Sequence, residues 1–371
     1  MAWIDFHASP FLVIWEVTQA CDLACVHCRA KAQSFRDPRE LTTVEGFRLI
    51  DQIREFGQPL FVLTGGDPMK RPDIFDFIAY GTQRGLRMAM TPSGTALMTR
   101  EAVARLKAHG LARLAISLDG SSADIHDTFR RVPGSYTWTT RCVEYARQLD
   151  LPVQINTTMT RHNFDDFDAM AALVERLGIV LWSVFFLVPV GRGRKEDELT
   201  PQEYEIIFNK LYDLSRVVPF DIKTTAAPHY RRVVLQRRRA EDGGTDGPRP
   251  VGFIPGDGIG RAPKGVNEAN GLVFISHTGE VYPSGFLPLS GGNVRERSLV
   301  DIYRNTKLFQ LLRDSSQLRG KCGYCDFRDV CGGSRARAYA LTGNPMASEP
   351  YCVYRPPRPK ALPHRAVGSG Q

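Results

Sequence analysis

The chain reads as an α/β protein built on a parallel sheet, with a smaller α+β region behind it. Three observations predict this. Between Phe11 and Leu187 six short apolar runs alternate with amphipathic helical stretches, a pattern that calls for parallel strands joined by right-handed crossovers. The first run, Phe11-Leu-Val-Ile-Trp-Glu-Val-Thr18, is almost continuously apolar, like a strand covered on both faces. Past residue 217 the alternation fails, and order resumes only near residue 271. At 371 residues, 43% hydrophobic and 24% charged, the chain is long enough for a sizeable core and ordinary in composition.

Taken in order, the strand over 11–18 leads into a cysteine-bearing loop. Thr42 or Thr43, with Glu45 behind it, then opens a helix through Phe47, Leu49, Ile50, Ile53 and Phe56 that stops at Gly57. Further strands are expected over 60–63, 87–90, 113–117, 153–157 and 181–187. Helices are expected between them over 74–84, 100–109, 137–149 and 164–177, with another over 201–216. Gly-Gly, Asp-Gly and Gly-Pro signals crowd 241–270, and the whole of 218–270 is expected to be a linker or mobile loop. The basic run Arg231-Arg232 and Arg237-Arg238-Arg239 reads as the solvated face of a helix. Two apolar runs around Thr278-Gly279 predict a hairpin, and a helix follows over 299–312. The division is therefore 1–217 core, 218–270 linker, 271–356 second domain, and a Pro- and Arg-rich disordered tail over 357–371.

The eight cysteines fall into two groups with Cys142 alone between them, in the manner of metal ligation in a reducing compartment and not of a secreted disulfide framework. No signal peptide and no apolar run of about 18 residues is visible, so a cytoplasmic protein without a membrane anchor is expected. The net charge of +8 fits an enzyme that handles an anionic substrate at least as well as a nucleic-acid binder, and no nucleic-acid partner is expected.

Cys21-x3-Cys25-x2-Cys28 places three thiolates on one short loop. Structural zinc normally takes four protein ligands, whereas three thiolates suit a [4Fe-4S] cluster with one iron left open. Lying directly behind a first strand, this motif resembles that of the radical S-adenosylmethionine (SAM) superfamily. The resemblance sharpens the fold to a partial (β/α)6 TIM-like barrel. It also implies that the open iron chelates SAM, which the reduced cluster cleaves to a 5'-deoxyadenosyl radical. Thr64-Gly65-Gly66-Asp67-Pro68 resembles the superfamily's GGEP segment, with Asp67 in place of Glu. Ser93, Ser117 and Asp119 stand where related enzymes contact the ribose and methionine parts of SAM, although Ser93 and Asp119 also suit plain turns. His126-Asp-Thr-Phe-Arg130-Arg131 resembles the HDxxRG segment of the SPASM and Twitch subgroup. Arg131 takes the usual glycine place, which leaves either Arg130 or Arg131 to pair with the SAM carboxylate. Asn156, late in the fifth strand, is expected to reach the same ligand, and Phe185 to Val188 to wall the adenine.

Cys322-x2-Cys325-x5-Cys331, with Cys352 beyond, supplies four ligands and can close a site completely, for zinc or for a cluster on spacing alone. It resembles the auxiliary [4Fe-4S] site of SPASM and Twitch domains, a small C-terminal α+β module. Ser284 and Ser334 stand where such domains place cysteines of a second auxiliary centre, so one auxiliary centre is expected and not two. The surrounding text, Gly292-Asn293-Val294-Arg295 and Arg335-Ala-Arg337-Ala-Tyr339 among it, resembles radical SAM enzymes of haem and haem d1 synthesis, which act on propionate or acetate arms of tetrapyrroles. The expected substrate is thus an anionic small molecule, with Arg335 and Arg337 suited to its carboxylates and a flavodoxin- or ferredoxin-like protein as electron donor. A peptide maturase and a non-enzymatic electron carrier are the alternatives.

Overall fold

The computed structural model describes residues 4–241, 262 and 264–357. Seven strands, β1 (Leu12–Glu16), β2 (Leu60–Thr64), β3 (Arg87–Met90), β4 (Arg113–Ser117), β5 (Val153–Met159), β6 (Leu181–Phe186) and β7 (Asp221–Thr225), lie in sequence order, each parallel to the next. The crossovers carry α1 (Thr43–Arg54), α2 (Ile74–Gln83), α3 (Arg100–Ala108), α4 (Ala123–Arg130), α5 (Ser135–Gln148), α6 (Phe167–Arg176) and α7 (Pro201–Leu214). Four of these seven starts have a side-chain cap. Thr42 and Thr200 form capping boxes with Glu45 and Glu203, and Thr99 and Ser122 cap α3 and α4 with their side-chain oxygens. On β1, Val13 and Trp15 point to the helical layer, where the Trp15 ring meets Phe77 of α2 at 4.9 Å.

After β7 come α8 (Tyr230–Glu241), β8 (Leu272–Ile275), β9 (Glu280–Tyr282), β10 (Gly292–Asn293), α9 (Leu299–Asn305), α10 (Lys307–Arg313), and three short helices, α11 (Gly320–Gly323), α12 (Arg328–Cys331) and α13 (Arg335–Thr342). Two expectations change here. The supposed linker over 218–270 contains β7 and α8. Asp-Ile-Lys-Thr-Thr has a single apolar side chain, so β7 shows no apolar run, yet it pairs with β6 from Leu181↔Asp221 to Phe185↔Thr225. Residues 242–261 and 263 of that segment, and 358–371 of the tail, lie outside the described residues. The helix over 299–312 is two helices, broken where Thr306 takes extended backbone angles (φ −72°, ψ 128°). The second region joins the sheet of the first, because β8 runs parallel to β1 from Leu12↔Leu272 to Trp15↔Ile275. All ten strands thereby form one sheet in the order β10-β9-β8-β1-β2-β3-β4-β5-β6-β7.

Candidate active site

β1 ends at Glu16, and the next seventeen residues turn back across the carboxyl end of the sheet. The loop is closed by Cys21 N–H to Gln33 O (2.7 Å) and Gln33 N–H to Gln19 O (3.1 Å). It is seated on the end of β2 by Gly66 N–H to Thr18 O (2.8 Å) and Asp67 N–H to Ala20 O (2.6 Å). The two glycines are required by this seat. A Cβ at Gly65 would lie 2.5 Å from Thr18 O, and one at Gly66 would lie 2.5 Å from both Gln19 O and Ala20 O. Gly-Gly therefore brings the cysteine loop against the strand, in addition to any access it gives a ligand.

Every thiol of the triad receives a hydrogen bond. Leu23 N–H donates to Cys21 Sγ (3.3 Å), Ala32 N–H to Cys28 Sγ (3.4 Å), and Arg130 Nη1 to Cys25 Sγ (3.5 Å). Ser93 Oγ sits 3.2 Å from Cys21 Sγ and also donates to Gly66 O (2.5 Å). Burial pushes the Cys21 thiol up to about 11 and raises Cys25 as well, so both stay protonated until a metal displaces the proton.

Asp67 is wholly buried and turned inward. Its carboxylate accepts from Thr95 Oγ1 (2.9 Å) and Met69 N–H (3.1 Å), tying the end of β2 to the loop after β3, and burial pushes its pKa up. Asp119 is likewise fully buried; it pairs with Arg130 and accepts from Thr158 N–H (2.7 Å). Of the two candidate arginines, Arg130 is the one at the cysteine loop. Arg131 is exposed and takes the left-handed C-cap of α4 (φ 57°), the conformation for which glycine is the natural choice. Ser117 and Asn156 face each other in register on β4 and β5, and Asn156 Oδ1 accepts from Gln154 Nε2 (2.7 Å).

Two residues at the loop were not singled out in the sequence. Arg192, just past β6, donates from Nε to Cys25 O (2.9 Å) and from Nη1 to Ala32 O (3.1 Å), while its N–H reaches Cys28 O (2.9 Å). The Gly191-Arg192-Gly193 punctuation after a strand was the available signal. His27 lies between two of the cysteines, its ring 4.4 Å from Phe129. Buried His27 Nδ1, Arg130 Nε and Arg192 Nη2 have no hydrogen-bond partner among the described residues. Unpaired buried nitrogens of this kind cost about 1–3 kcal/mol each. Three thiols with three orphaned nitrogens beside them fit an anionic cluster and a carboxylate-bearing ligand.

The second cysteine group shows the same chemistry. Cys322, Cys325, Cys331 and Cys352 line one small cavity, together with His229, Arg232, Lys321 and Glu349. Cys322 Sγ accepts from Glu349 N–H (3.3 Å), Cys325 from Phe327 N–H (3.4 Å), Cys331 from Gly333 N–H (3.3 Å), and Cys352 from Tyr354 N–H. Burial raises the Cys331 thiol to about 12. Four thiols lining one cavity, each already holding an N–H donor, make a complete ligand set for a metal centre. Ser334 instead caps α13, accepting from Arg337 N–H (3.2 Å) and donating to Glu268 (3.2 Å), and Ser284 accepts from Phe286 N–H (3.3 Å). Cys142 is a fully buried core residue of α5.

The carboxylate-binding role expected of Arg335 and Arg337 is corrected by their surroundings. Arg337 is 0% exposed and donates to Phe186 O, Leu187 O and Ala226 O with Glu198 as counter-ion, and the buried Arg335 donates from Nε and Nη1 to Gly333 O, Pro345 O and Ala347 O, with only Nη2 unpaired among the described residues. Both hold the C-terminal region to the barrel or to itself. A further joint runs through Glu16, which accepts from Arg29 Nη2 of the cysteine loop (2.7 Å) and lies 3.0 Å from His277 Nδ1 in the β8–β9 turn.

Fold, loop and triad define a radical SAM enzyme, and the chain belongs to that superfamily: residues 15–174 match the Radical SAM superfamily. Its cofactors are SAM and a [4Fe-4S] cluster. Among its relatives, the AdoMet-dependent heme synthase of Methanosarcina barkeri is 41% identical over 94% of this chain and 97% of that protein. The AdoMet-dependent heme synthase of Nitratidesulfovibrio vulgaris is 43% identical over 94% and 93%. Among solved structures, Streptococcus suis SuiB bound to S-adenosylmethionine shares the fold with a TM-score of 0.69 at 14% identity, over 94% of this chain and 78% of that one. Among the described residues no helix is long and apolar enough to cross a membrane.

Proposed function

We propose that this enzyme removes hydrogen from a propionate arm of an iron tetrapyrrole, in a haem-forming reaction. The observation that carries the reading is end-to-end identity above 40% with two relatives named AdoMet-dependent heme synthase. Ser117, Asn156, Ser183 and Lys223 lie in one register row across β4, β5, β6 and β7, a polar row in the middle of the sheet.

In this reading Cys21, Cys25 and Cys28 hold the SAM-binding cluster. When bound, that group would supply the electron that cleaves SAM to methionine and a 5'-deoxyadenosyl radical. Arg130 offers its unpaired Nε to the SAM carboxylate while Asp119 keeps the guanidinium in place. Arg192 and the glycine pair fix the loop so that the three sulfurs keep one geometry. Ser93, Ser117 and Asn156 contact the remainder of SAM or the substrate. Cys322, Cys325, Cys331 and Cys352 hold one auxiliary [4Fe-4S] centre in the 271–356 region, and an acidic flavodoxin- or ferredoxin-like donor supplies electrons.

The test is made on anaerobically reconstituted protein with dithionite and SAM. 5'-Deoxyadenosine should form and should vanish in Cys25→Ala. With an iron porphyrin whose propionate arms carry deuterium, the label should appear in 5'-deoxyadenosine. Label-free 5'-deoxyadenosine and an unchanged porphyrin mass would remove the tetrapyrrole assignment and leave the SAM cleavage standing.

A further inference from the structure

His229 lies outside the SAM site, on the turn between β7 and α8 that is closed by Tyr230 N–H to Ala227 O (3.2 Å). It is 1% exposed, and neither ring nitrogen has a hydrogen-bond partner among the described residues. Its ring is held in one orientation, stacked on Tyr204 (centroids 5.5 Å apart, 19° between planes) and against the edge of Phe208 (4.8 Å, 79°). Held this way, it lines the cavity of the four C-terminal cysteines.

The other charged side chains of that cavity wall are engaged, save the Nε of Arg232, which also lacks a partner among the described residues. Arg232 donates to Glu205 and Gln236, Lys321 to Cys352 O, and Glu349 accepts from Ser334 N–H. A buried imidazole with two unpaired nitrogens is destabilising unless whatever fills the cavity supplies a partner.

We propose that His229 donates its ring N–H to a sulfur of the auxiliary iron-sulfur centre, raising the reduction potential of that centre without ligating it. The inference rests on the reading that Cys322, Cys325, Cys331 and Cys352 hold a [4Fe-4S] cluster. Four cysteines complete the ligand set, and each already accepts one backbone N–H, so the imidazole enters as a fifth donor. Reduction adds negative charge to the cluster sulfurs, and an N–H aimed at them stabilises the reduced form more than the oxidised one. His229 is thus a positioning and tuning residue, acting through the centre and not on substrate.

The test uses full-length protein with Cys21, Cys25 and Cys28 all changed to Ala, so that only the auxiliary centre reports. Redox titration followed by electron paramagnetic resonance is run on this parent and on His229→Phe and His229→Gln within it, with iron content measured alongside. The expected result is equal iron in all three, a midpoint displaced to more negative potential in His229→Phe, and a midpoint near the parent's in His229→Gln, which keeps an N–H. An unchanged midpoint in His229→Phe at full iron content overturns the proposal. Should the variants lose iron, pulsed resonance on the 15N-histidine-labelled parent decides. A weak nitrogen coupling supports the hydrogen bond, and either the strong coupling of bound imidazole or no coupling overturns it. A parent that binds zinc or no iron defeats the auxiliary-cluster reading itself, and this proposal with it, before any His229 variant is made.

Discussion

Gly66→Ala tests whether the seat of the cysteine loop is what makes the triad usable. The added Cβ would stand 2.5 Å from Gln19 O and Ala20 O, where ordinary contact begins near 3.4 Å, so loop and strand must part by 0.9 Å, the difference of the two. The obstacles are backbone carbonyls, not pliable side-chain ends. Ala20 O is also the acceptor of Asp67 N–H, and the neighbouring Cys21 N–H is committed to Gln33 O. Overpacking of this order destabilises by about 1–3 kcal/mol, and a weakened buried hydrogen bond adds about 1 kcal/mol. For a chain of this length the unfolding entropy is about 0.8 kcal/mol/K, which turns about 3 kcal/mol into a fall of about 4 °C in melting temperature. The fold survives that loss. A shift approaching 1 Å at Cys21 should nevertheless reduce 5'-deoxyadenosine formation at least about 100-fold. Gly57→Ala is the control: at φ 97° it costs about 1 kcal/mol, but its Cβ would meet nothing within 4 Å and it lies away from the loop. Calorimetry, iron analysis and chromatographic assay of 5'-deoxyadenosine are run on both. Gly66→Ala protein with wild-type iron content and wild-type 5'-deoxyadenosine formation would refute the argument.

Reconstituted wild-type protein should hold about eight irons per chain, and replacing Cys21, Cys25 and Cys28 with Ala should leave about four, by iron and sulfide analysis with Mössbauer spectroscopy; about eight in the triple variant would reveal a third centre at the Ser284 and Ser334 region. Arg130→Gln strands the fully buried Asp119 and should cost about 3–5 kcal/mol together with SAM cleavage, whereas Arg131→Gly relieves a left-handed residue and should gain about 1 kcal/mol with activity kept, both read from denaturant midpoints and 5'-deoxyadenosine assays. His277, flanked by Glu16, Asp37 and, through Glu16, Arg29, has its pKa raised above 6.5 by the two carboxylates, which outweigh the opposing effect of burial. A raised histidine contributes stability that is fully present below its unfolded value near 6.5 and lost as pH rises through the folded one, so melting temperature should decline above pH 6.5, and His277→Gln should flatten that decline.

Much of the site was legible because its determinants are local. Three cysteines within eight residues, a Gly-Gly after an apolar run and four more cysteines near the end each announce themselves in a few adjacent letters. What stayed hidden depends on distant partners. Nothing in Asp-Ile-Lys-Thr-Thr says strand until β6 offers its edge, and nothing in Leu272-Val-Phe-Ile275 says that it will pair with Leu12-Val-Ile-Trp15. The choice between Arg130 and Arg131 turned on one positive φ, and the fate of Arg337 on three carbonyls from elements far away in sequence. His229 looked unremarkable, since burial without partners is a property of the assembled cavity.

The pairing of β1 with β8 also bears on how the enzyme comes into being. Leu12 and Leu272 are register partners separated by 260 residues, 272 less 12, so one edge of the first strand to leave the ribosome waits unpaired until most of the chain has been made. Closing a loop of that size costs roughly 5 kcal/mol in chain entropy, and contacts of such long range slow folding. Throughout that interval Leu12–Glu16 is an apolar edge beside three reactive thiols, the kind of exposed strand that invites intermolecular pairing. Completion of the hairpin closes this edge and, through His277 and Glu16, fastens the base of the cysteine loop in the same event. Synthesis of the last third of the chain therefore sets the earliest moment at which the loop is ready to receive iron.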